Sequence, residues 1–258
     1  RDVAPPELSN CVLTAPDPVV DGANNPVAFT GGFSGNSLTI NITDSIGYTA
    51  IGGGNDIVAV SYVCEVESDV QAGLEFDNTA EVDWTSAVGS TNFPPEEDEA
   101  SVTIAEPSME KVIDYIFPGY NGTTSRATIG EVVAYELMVI IPEGNINNAN
   151  LIDRLDEGLA FVGVDSIIIG SSSGAPNIVS SLGSFNTIAS SAVISDVGTN
   201  PQQIDRELTI DFGDLQNFDT DNIDDTIKIY YQTIVINHIT NTDGEQVNTR
   251  ADFEWRNP

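Results

Sequence analysis

The chain contains one stretch of sequence twice. Residues 37–84 include SLTINITD, DIVAVSYVCEV and GLEFDNTAEVDW, and residues 207–255 include ELTIDFGD, DTIKIYYQTIV and GEQVNTRADFEW in the same order. The offset between equivalent positions stays between 169 and 171, as from Leu38 to Leu208 and from Trp84 to Trp255. A fixed offset over about fifty residues indicates tandem copies of one module, and repeated modules extend a structure rather than build one active site.

The repeat divides the 258 residues into two predicted domains, residues 1–106 and residues 107–258, which meet at Pro107. The equivalent positions also predict that the first module is truncated by roughly sixty residues at its N-terminal side. The second module is expected to lack its last strand. A chain divided in this way is expected to be an excerpt from a longer array.

Apolar residues alternate with polar ones in short segments. The segments VVAYELMVII at 132–141 and TIKIYYQTIV at 226–235 are examples, and Gly, Asn, Asp and Pro separate them from their neighbours. Alternation with period two, in short runs broken by turn residues, is typical of a β-sandwich. The sequence therefore predicts an all-β fold of two tandem sandwiches, with no convincing helix. The Ser- and Gly-rich stretch 171–193 is expected to be a long surface loop with one or two short strands.

The charge of the chain excludes two classes of partner. It has 40 Asp and Glu against 8 Lys and Arg, a net charge of −32. Such a chain repels nucleic acid phosphates and anionic membrane surfaces. Eighteen consecutive apolar residues occur nowhere, so this segment is not expected to span a membrane.

Two acidic clusters are candidate Ca²⁺ sites, because Ca²⁺ prefers oxygen ligands. One comprises Asp219, Asp221, Asp224 and Asp225, and the other comprises Glu96, Glu97 and Asp98. The first lacks the central Gly and the closing Glu of an EF-hand loop. Such clusters are more often solvated loops, here on a surface adapted to salt water or an extracellular setting. The predicted cofactor is therefore none, or Ca²⁺.

The two cysteines, Cys11 and Cys64, both lie in the first module. A disulfide would suit an exported protein. Cys64 alternates with Val60, Tyr62 and Val66, so its side chain is expected to point into a core, where a free thiol is also common. Both states stay open from the sequence, and the spacing of the cysteines does not suggest zinc.

Several motifs follow one another in a particular order. GEVVAY at 130–135 is followed by IDRL at 152–155, by GLAFV at 158–162, and by NTA at 78–80 or NTRA at 248–251. In this order they resemble the conserved repeat domain of large bacterial surface proteins, which opens with a strand that carries Lys. The resemblance covers the second module and the second half of the first. It implies an immunoglobulin-like sandwich in a surface or adhesin stalk, and kinship with pilin-type domains that form a Lys–Asn isopeptide bond.

Alternation tests the crosslink independently of the resemblance. Lys111 shares a face with Met109, and Asp153 shares a face with Leu151 and Leu155. Asn248 reaches the same interior only if a β-bulge at residues 249–250 absorbs the extra residue of NTRA. A neutral, buried Lys111 could then attack the Asn248 carboxamide while protonated Asp153 polarises it, and ammonia would leave.

One alternative to this crosslink and two variants of it remain open. Lys111 and Asp153 could form a plain salt bridge, with Asn248 in a turn. Glu136 is the second candidate for the acid, on the expectation that it points inward from the opposite sheet surface. The first module has no lysine, so an equivalent bond there would need a residue outside this sequence, with Asn78 as the acceptor.

The preferred functional hypothesis is a structural repeat of a secreted or cell-surface bacterial protein, a stalk, adhesin or filament. Its partners would be neighbouring copies of the same repeat, including a homopolymer. A ligand-binding adhesin module with Ca²⁺-stabilised joints is the alternative. An enzyme is not expected, because the G-x-S-x-G match at 170–174 lies in a low-complexity loop and the chain has one histidine, His238.

Overall fold

The structure is a computed structural model that describes residues 1–14, 16–21, 24–43, 57–84, 93–119, 125–170, 177–195, 206–218, 223 and 225–256. The chain forms two compact units. Unit 1 comprises Arg1–Val70 and Glu75–Thr103, and unit 2 comprises Gln71–Leu74 and Ile104–Pro258. The all-β prediction is confirmed, since the described residues contain eighteen strands and one short helix. The module boundary at Pro107 stays a prediction about the repeat.

Unit 1 contains nine of the described strands. They are β1 (Asp2–Val3), β2 (Leu8–Leu13), β3 (Val19–Asp21), β4 (Phe29–Ser34), β5 (Ser37–Ile42), β6 (Val58–Val60), β7 (Tyr62–Val66), β8 (Glu75–Val82) and β9 (Glu96–Thr103). One sheet has the order β4-β5-β1-β8-β9, and the pairs β2-β7 and β3-β6 lie apart from it. All of these pairings are antiparallel.

Unit 2 contains the other nine described strands and the helix. They are β10 (Ser108–Phe117), β11 (Val132–Ile141), β12 (Gly144–Arg154), β13 (Leu159–Gly170), β14 (Ile178–Ser180), α1 (Phe185–Ser190), β15 (Val193–Ser195), β16 (Glu207–Asn217), β17 (Asp225–Val235) and β18 (Arg250–Arg256). One sheet has the order β10-β11-β17-β13. The other has the order β14-β16-β12-β18, with β15 also paired to β16.

The core of unit 2 follows from alternation along its long strands. In β17 every second side chain is buried, from Ile227 and Ile229 to Tyr231, and β16 buries Leu208 and Ile210 in the same way. These inward faces form one continuous hydrophobic cluster. Burial of apolar area at about 25 cal/mol per Å² supplies the main drive for closing the two sheets on each other.

Several strands of unit 1 have counterparts in unit 2 by their pairing register. In unit 1, Asp2 pairs with Leu38 and Ala80, and in unit 2, Asp153 pairs with Leu208 and Ala251. Strand β1 is therefore the counterpart of β12, β5 of β16, and β8 of β18. By the same reasoning, Leu8 pairs with Val66 as Leu159 pairs with Val235, so β2 corresponds to the start of β13 and β7 to the end of β17.

The stretch predicted as a loop with short strands contains one element that the sequence analysis missed. Strands β14 and β15 are the short strands, but α1 lies between them. Ser184 caps the helix, with its side chain accepting a hydrogen bond from the backbone N–H of Thr187. Among the described residues, no helix is long and apolar enough to cross a membrane.

Candidate functional site

The candidate site is a lysine that points into the interior of unit 2. Lys111 lies on β10 opposite Leu137 of β11. Met109, two residues earlier on the same face, packs against the core, whereas the register of β10 shifts after Ile113. Alternation therefore sends the Lys111 side chain inward, as the sequence predicts.

Lys111 forms an ion pair with a carboxylate of the opposite sheet. Its Nζ lies 2.8 Å from both Oδ1 and Oδ2 of Asp153, which is on β12. The Asp153 side chain is fully buried, and that of Lys111 is 13 % exposed. Since β10 and β12 belong to different sheets, this ion pair joins the two layers of the sandwich.

Two tyrosines complete the cluster. The Tyr231 hydroxyl donates a hydrogen bond to Oδ2 of Asp153, and Tyr231 belongs to β17, in the same sheet as Lys111. The rings of Tyr135 and Tyr231 stack with centroids 5.3 Å apart. Nζ of Lys111 lies 4.7 Å from the Tyr135 centroid and 5.6 Å from the Tyr231 centroid, within the range of a cation–π interaction. We call Lys111, Asp153 and Tyr231 the inter-sheet clasp.

Burial and charge shift the pKa values of this cluster in opposite directions. Burial lowers the pKa of Lys111, although the Asp153 carboxylate beside it works against that shift. Burial raises the pKa of Tyr231 far above its usual range, and the charge of Asp153 and its hydrogen bond add to the rise. Burial also raises the pKa of Tyr135 to about 12. The tyrosine hydroxyls are therefore donors over the whole physiological pH range.

Asn248 does not join the clasp. It lies before the start of β18, its side chain is exposed, and its backbone N–H donates to Oδ2 of Asp156 at 3.3 Å. Strand β18 begins at Arg250 and pairs with β12 in register at Arg250 and Ala251, so the β-bulge at residues 249–250 is not tested by this pairing and stays a prediction.

Glu136 lies on the outer face of the first sheet of unit 2. Its Oε1 accepts a hydrogen bond from Lys228 Nζ at 2.8 Å, across the neighbouring strands β11 and β17. The prediction that Glu136 points inward is wrong, because its neighbours Tyr135 and Leu137 occupy the buried face. The Lys228–Glu136 pair is partly solvated, with side chains 36 % and 21 % exposed.

Unit 1 contains the same aspartate–tyrosine pair. The Tyr62 hydroxyl donates to Oδ2 of Asp2 at 2.7 Å, as Tyr231 donates to Asp153. Nδ2 of Asn78 donates to the Tyr62 hydroxyl at 2.8 Å and to Oδ2 of Asp2 at 3.2 Å. The sequence analysis missed Asp2. A signal was available, because Asp2 lies six residues before Leu8 just as Asp153 lies six residues before Leu159.

A disulfide joins Cys11 to Cys64 in unit 1. The two residues lie on the paired strands β2 and β7, where the register shifts between Ser9 and Val12. Cys11 is buried and Cys64 is half-buried. The bridge thus links the strand that carries Tyr62 to its neighbour.

The structure bears on only part of the Ca²⁺ hypothesis. Glu96, Glu97 and Asp98 lie on β9 rather than in a loop, and their side chains are exposed. In the described ranges, no group of three Asp, Glu, His or Cys side chains could hold a metal ion. Asp225 is buried, whereas Asp219, Asp221 and Asp224 lie outside the described residues, so Ca²⁺ binding there stays a prediction.

The one aromatic residue in the described part of the Ser- and Gly-rich stretch packs against the core. Phe185 is half-buried, and its ring centroid lies 6.3 Å from that of Phe212 in the core. Ile188, one turn further along α1, is fully buried. Residues 177–195 therefore contribute apolar side chains to the core of unit 2.

Comparison with known proteins gives similarity at the level of fold. The chain matches no protein-family model and no curated protein. Among solved structures it is similar to the pilus backbone RrgB of Streptococcus pneumoniae, at 19% identity over 58% of this chain and 53% of that one, with a TM-score of 0.35. The chain thus spans about half the length of that structure.

Two further solved structures are similar to this chain. The C-terminal domain of the antigen I/II-family protein AspA of Streptococcus pyogenes is 11% identical over 98% of this chain and 79% of that one, with a TM-score of 0.40. The major pilin SpaD of Corynebacterium diphtheriae is 12% identical over 79% of this chain and 46% of that one, with a TM-score of 0.34. These TM-scores are below 0.5, so the similarities carry no conclusion about activity or partners.

Proposed function

We propose that this chain is a structural repeat of a secreted or cell-surface bacterial protein, and that the inter-sheet clasp makes its second unit resistant to mechanical unfolding. The observation that supports this most is the buried ion pair between Lys111 on β10 and Asp153 on β12. Repetition of one module, a strongly acidic composition and the disulfide in unit 1 all favour a repetitive protein outside the cell.

The position of the clasp suits a load-bearing role. Strand β10 is the first described strand of unit 2 along the chain and β18 is the last, so tension applied between residues 1 and 258 acts on these two strands first. The clasp ties β10 to β12, and β12 is the strand to which β18 is hydrogen-bonded. Separating β10 from β18 therefore breaks a buried ion pair. This is costly, because a buried charge that loses its partner stays desolvated and uncompensated.

Single-molecule stretching of the full chain between residues 1 and 258 tests this role. Lys111→Met keeps most of the aliphatic bulk and removes the charge, and we expect it to lower the unfolding force of one of the two units. Lys228→Met removes the partly solvated pair with Glu136 and serves as the matched control. Equal unfolding forces for wild type and Lys111→Met would refute the load-bearing role of the clasp.

A covalent form of the clasp stays a finer proposal. An amide between Nζ of Lys111 and the side-chain carbon of Asn248 would form with loss of one ammonia. It requires residues 248–250 to shift by one position, so that Asn248 takes the place that Asn78 has beside Asp2 in unit 1. The intact mass of the full chain decides this point. A mass about 17 Da below that of the sequence, restored by Asn248→Ala, would support the amide. The full sequence mass would exclude it and leave the ion pair as the link.

A further inference from the structure

The outer face of the sheet β10-β11-β17-β13 carries many apolar side chains. An antiparallel sheet that packs one face on the core normally presents polar side chains on the other. Strand β18 of the second sheet follows this rule, since its outward residues Arg250, Asp252 and Glu254 are charged. On the first sheet, the strand register places apolar and aromatic residues on the outward face, namely Val112, Tyr115, Met138, Ile140, Tyr230 and Ile168.

Three of these side chains are exposed. Val112 is 45 % exposed and Tyr115 is 40 % exposed, both on β10, and Ile168 on β13 is 51 % exposed. Met138 on β11 and Tyr230 on β17 lie between them and are half-buried. Single exposed apolar side chains are normal on a protein surface, but a patch that crosses four strands is typical of an interaction surface.

The polar side chains at the centre of this face satisfy one another. Nζ of Lys228 donates to Oε1 of Glu136 at 2.8 Å. Nε2 of Gln232 donates to the Tyr115 hydroxyl at 3.1 Å and to Oδ2 of Asp165 at 2.8 Å. Polar groups that already have partners can be covered by an apolar surface at less cost than unpaired ones. The centre of the face is therefore suited to burial under a partner.

The two edges of the face are acidic. Glu110 on β10 and Asp165 on β13 are both exposed. The four strands contain two basic residues, of which Lys111 points into the core and Lys228 pairs with Glu136. The whole chain has a net charge of −32, so a second copy of it is repelled, whereas a partner that carries Lys or Arg is attracted.

The width of the face fits one helix. Neighbouring strands lie about 4.8 Å apart, so the two edge strands of a four-stranded sheet are about 14 Å apart. An α-helix with its side chains is about 10–12 Å wide. A helix that lies over the central strands β11 and β17 therefore covers Met138 and Tyr230. Its two flanks then lie beside Glu110 on one edge and Asp165 on the other.

We propose that this outer face of unit 2 binds an amphipathic helix of a partner protein, with an apolar stripe towards the sheet and Lys or Arg on both flanks. The apolar stripe covers the exposed parts of Val112, Tyr115 and Ile168. The basic flanks pair with Glu110 and Asp165 at the two edges. This surface lies on the opposite side of the sheet from the inter-sheet clasp, and it does not depend on the mechanical role proposed for unit 2.

A synthetic helix tests the surface on the full chain. The probe is a fluorescently labelled peptide of about 18 residues, about 27 Å long as a helix, with Leu along one face and Lys on both flanks. A second peptide has the same composition, but its leucines do not follow the helical period, so it measures attraction by charge alone. Fluorescence anisotropy gives the affinity of both peptides for wild type and for each variant.

We expect the helical peptide to bind wild type about tenfold more tightly than the scrambled peptide. Val112→Ser combined with Ile168→Ser should weaken the helical peptide about tenfold, because apolar area that the helix covers is lost. The matched control combines Val179→Ser with Val193→Ser, two exposed valines of the second sheet, and should bind as wild type does.

The acidic edges have their own pair of variants. Glu110→Gln combined with Asp165→Asn should weaken the helical peptide about fivefold and make its binding less sensitive to salt. The control combines Glu245→Gln with Glu254→Gln, which removes two exposed carboxylates elsewhere in unit 2 and changes the net charge equally. It should leave the affinity close to that of wild type.

Three results would overturn the proposal. The first is equal affinity of wild type for the helical and the scrambled peptide. The second is an equal loss of affinity in the variants of this face and in their matched controls. The third is sedimentation of the free chain as a dimer that Val112→Ser with Ile168→Ser abolishes, because this face would then bind a second copy instead of a basic helix.

Discussion

Asp2 and Asp153 occupy the same position in their two units, although the residues around them differ. Each is flanked by the equivalent strands and accepts a hydrogen bond from the equivalent tyrosine. Two residues later, a buried residue donates its backbone N–H to the carbonyl oxygen of the residue just before the neighbouring strand, Asn36 before β5 and Arg206 before β16. Those two buried residues are Ala4 and Leu155. The aspartate–tyrosine pair is therefore a property of the repeated module, and the lysine completes it in unit 2.

The hydroxyl of Tyr231 should contribute measurably to the stability of unit 2. Tyr231→Phe leaves Oδ2 of Asp153 with one donor fewer in a buried site, and we expect a loss of about 1–3 kcal/mol in the free energy of unfolding. Tyr230→Phe, one residue earlier on the outer face of the same strand, is the matched control and should change stability by less than about 0.5 kcal/mol. Urea denaturation monitored by Trp255 fluorescence measures both. Similar losses for the two variants would contradict the account.

Alkaline pH should destabilise the fold through its buried tyrosines. Burial raises the pKa of Tyr62 and of Tyr135 to about 12, and raises that of Tyr231 further. Because folding raises these pKa values, each neutral tyrosine stabilises the fold in full below pH about 10, the pKa of tyrosine in the unfolded chain. That stabilisation is lost as the pH rises through the pKa of the folded state. The lowered pKa of Lys111 acts in the opposite direction. Burial of its charged form costs stability at neutral pH, and that cost disappears as the pH rises towards the pKa of about 10.4 that lysine has in the unfolded chain.

Phenolate absorbance and stability measured together across this range check the prediction. We expect Tyr231 to ionise only when unit 2 unfolds, so that a Tyr231→Phe variant loses one phenolate from the unfolding step. Ionisation of all seven tyrosines before any loss of structure would show that none of them is protected.

Reduction of the disulfide should act on unit 1 alone. Cys11 and Cys64 are 53 residues apart. Closing a loop of that length lowers the conformational entropy of the unfolded chain, which raises the free energy of unfolding by about 4 kcal/mol. We expect a reducing agent to shift the transition reported by Trp84 in a Trp255→Phe background. The transition reported by Trp255 in a Trp84→Phe background is the control and should stay unchanged. An equal shift of both transitions would show that the units do not unfold separately.

Gly158, in the turn after β12, should not tolerate replacement by a residue with a side chain. A Cβ on Gly158 would overlap the side chain of Asn241, whose Nδ2 donates to the carbonyl oxygens of Gly158 and Ile236. We expect Gly158→Ala to cost about 1–3 kcal/mol, because Asn241 cannot move without losing both bonds. Gly163→Ala is the control, since a Cβ there meets nothing within 4 Å. Thermal unfolding of the two variants compares them, and equal melting temperatures would contradict the tight contact.

Much of the fold could be predicted because period-two alternation and a long repeat can both be recognised in the sequence alone. They placed Lys111 and Asp153 on inward faces without knowledge of the pairing. Asn248 and Glu136 could not be placed in this way. The face of Asn248 depends on the register between β12 and β18, and that of Glu136 depends on which side of β11 is covered. The short helix α1 escaped detection because six residues are too few to show a helical period.

A double-mutant cycle on Lys111 and Asp153 tests the inter-sheet clasp most directly. Lys111→Met, Asp153→Asn and the double variant are compared with wild type by urea denaturation in a Trp84→Phe background, and the Lys228–Glu136 pair is the matched control. We predict a coupling free energy of about 1–3 kcal/mol for the buried pair and less than about 1 kcal/mol for the control pair. Losses that simply add for Lys111 and Asp153 would contradict the claim that this pair holds the two sheets together.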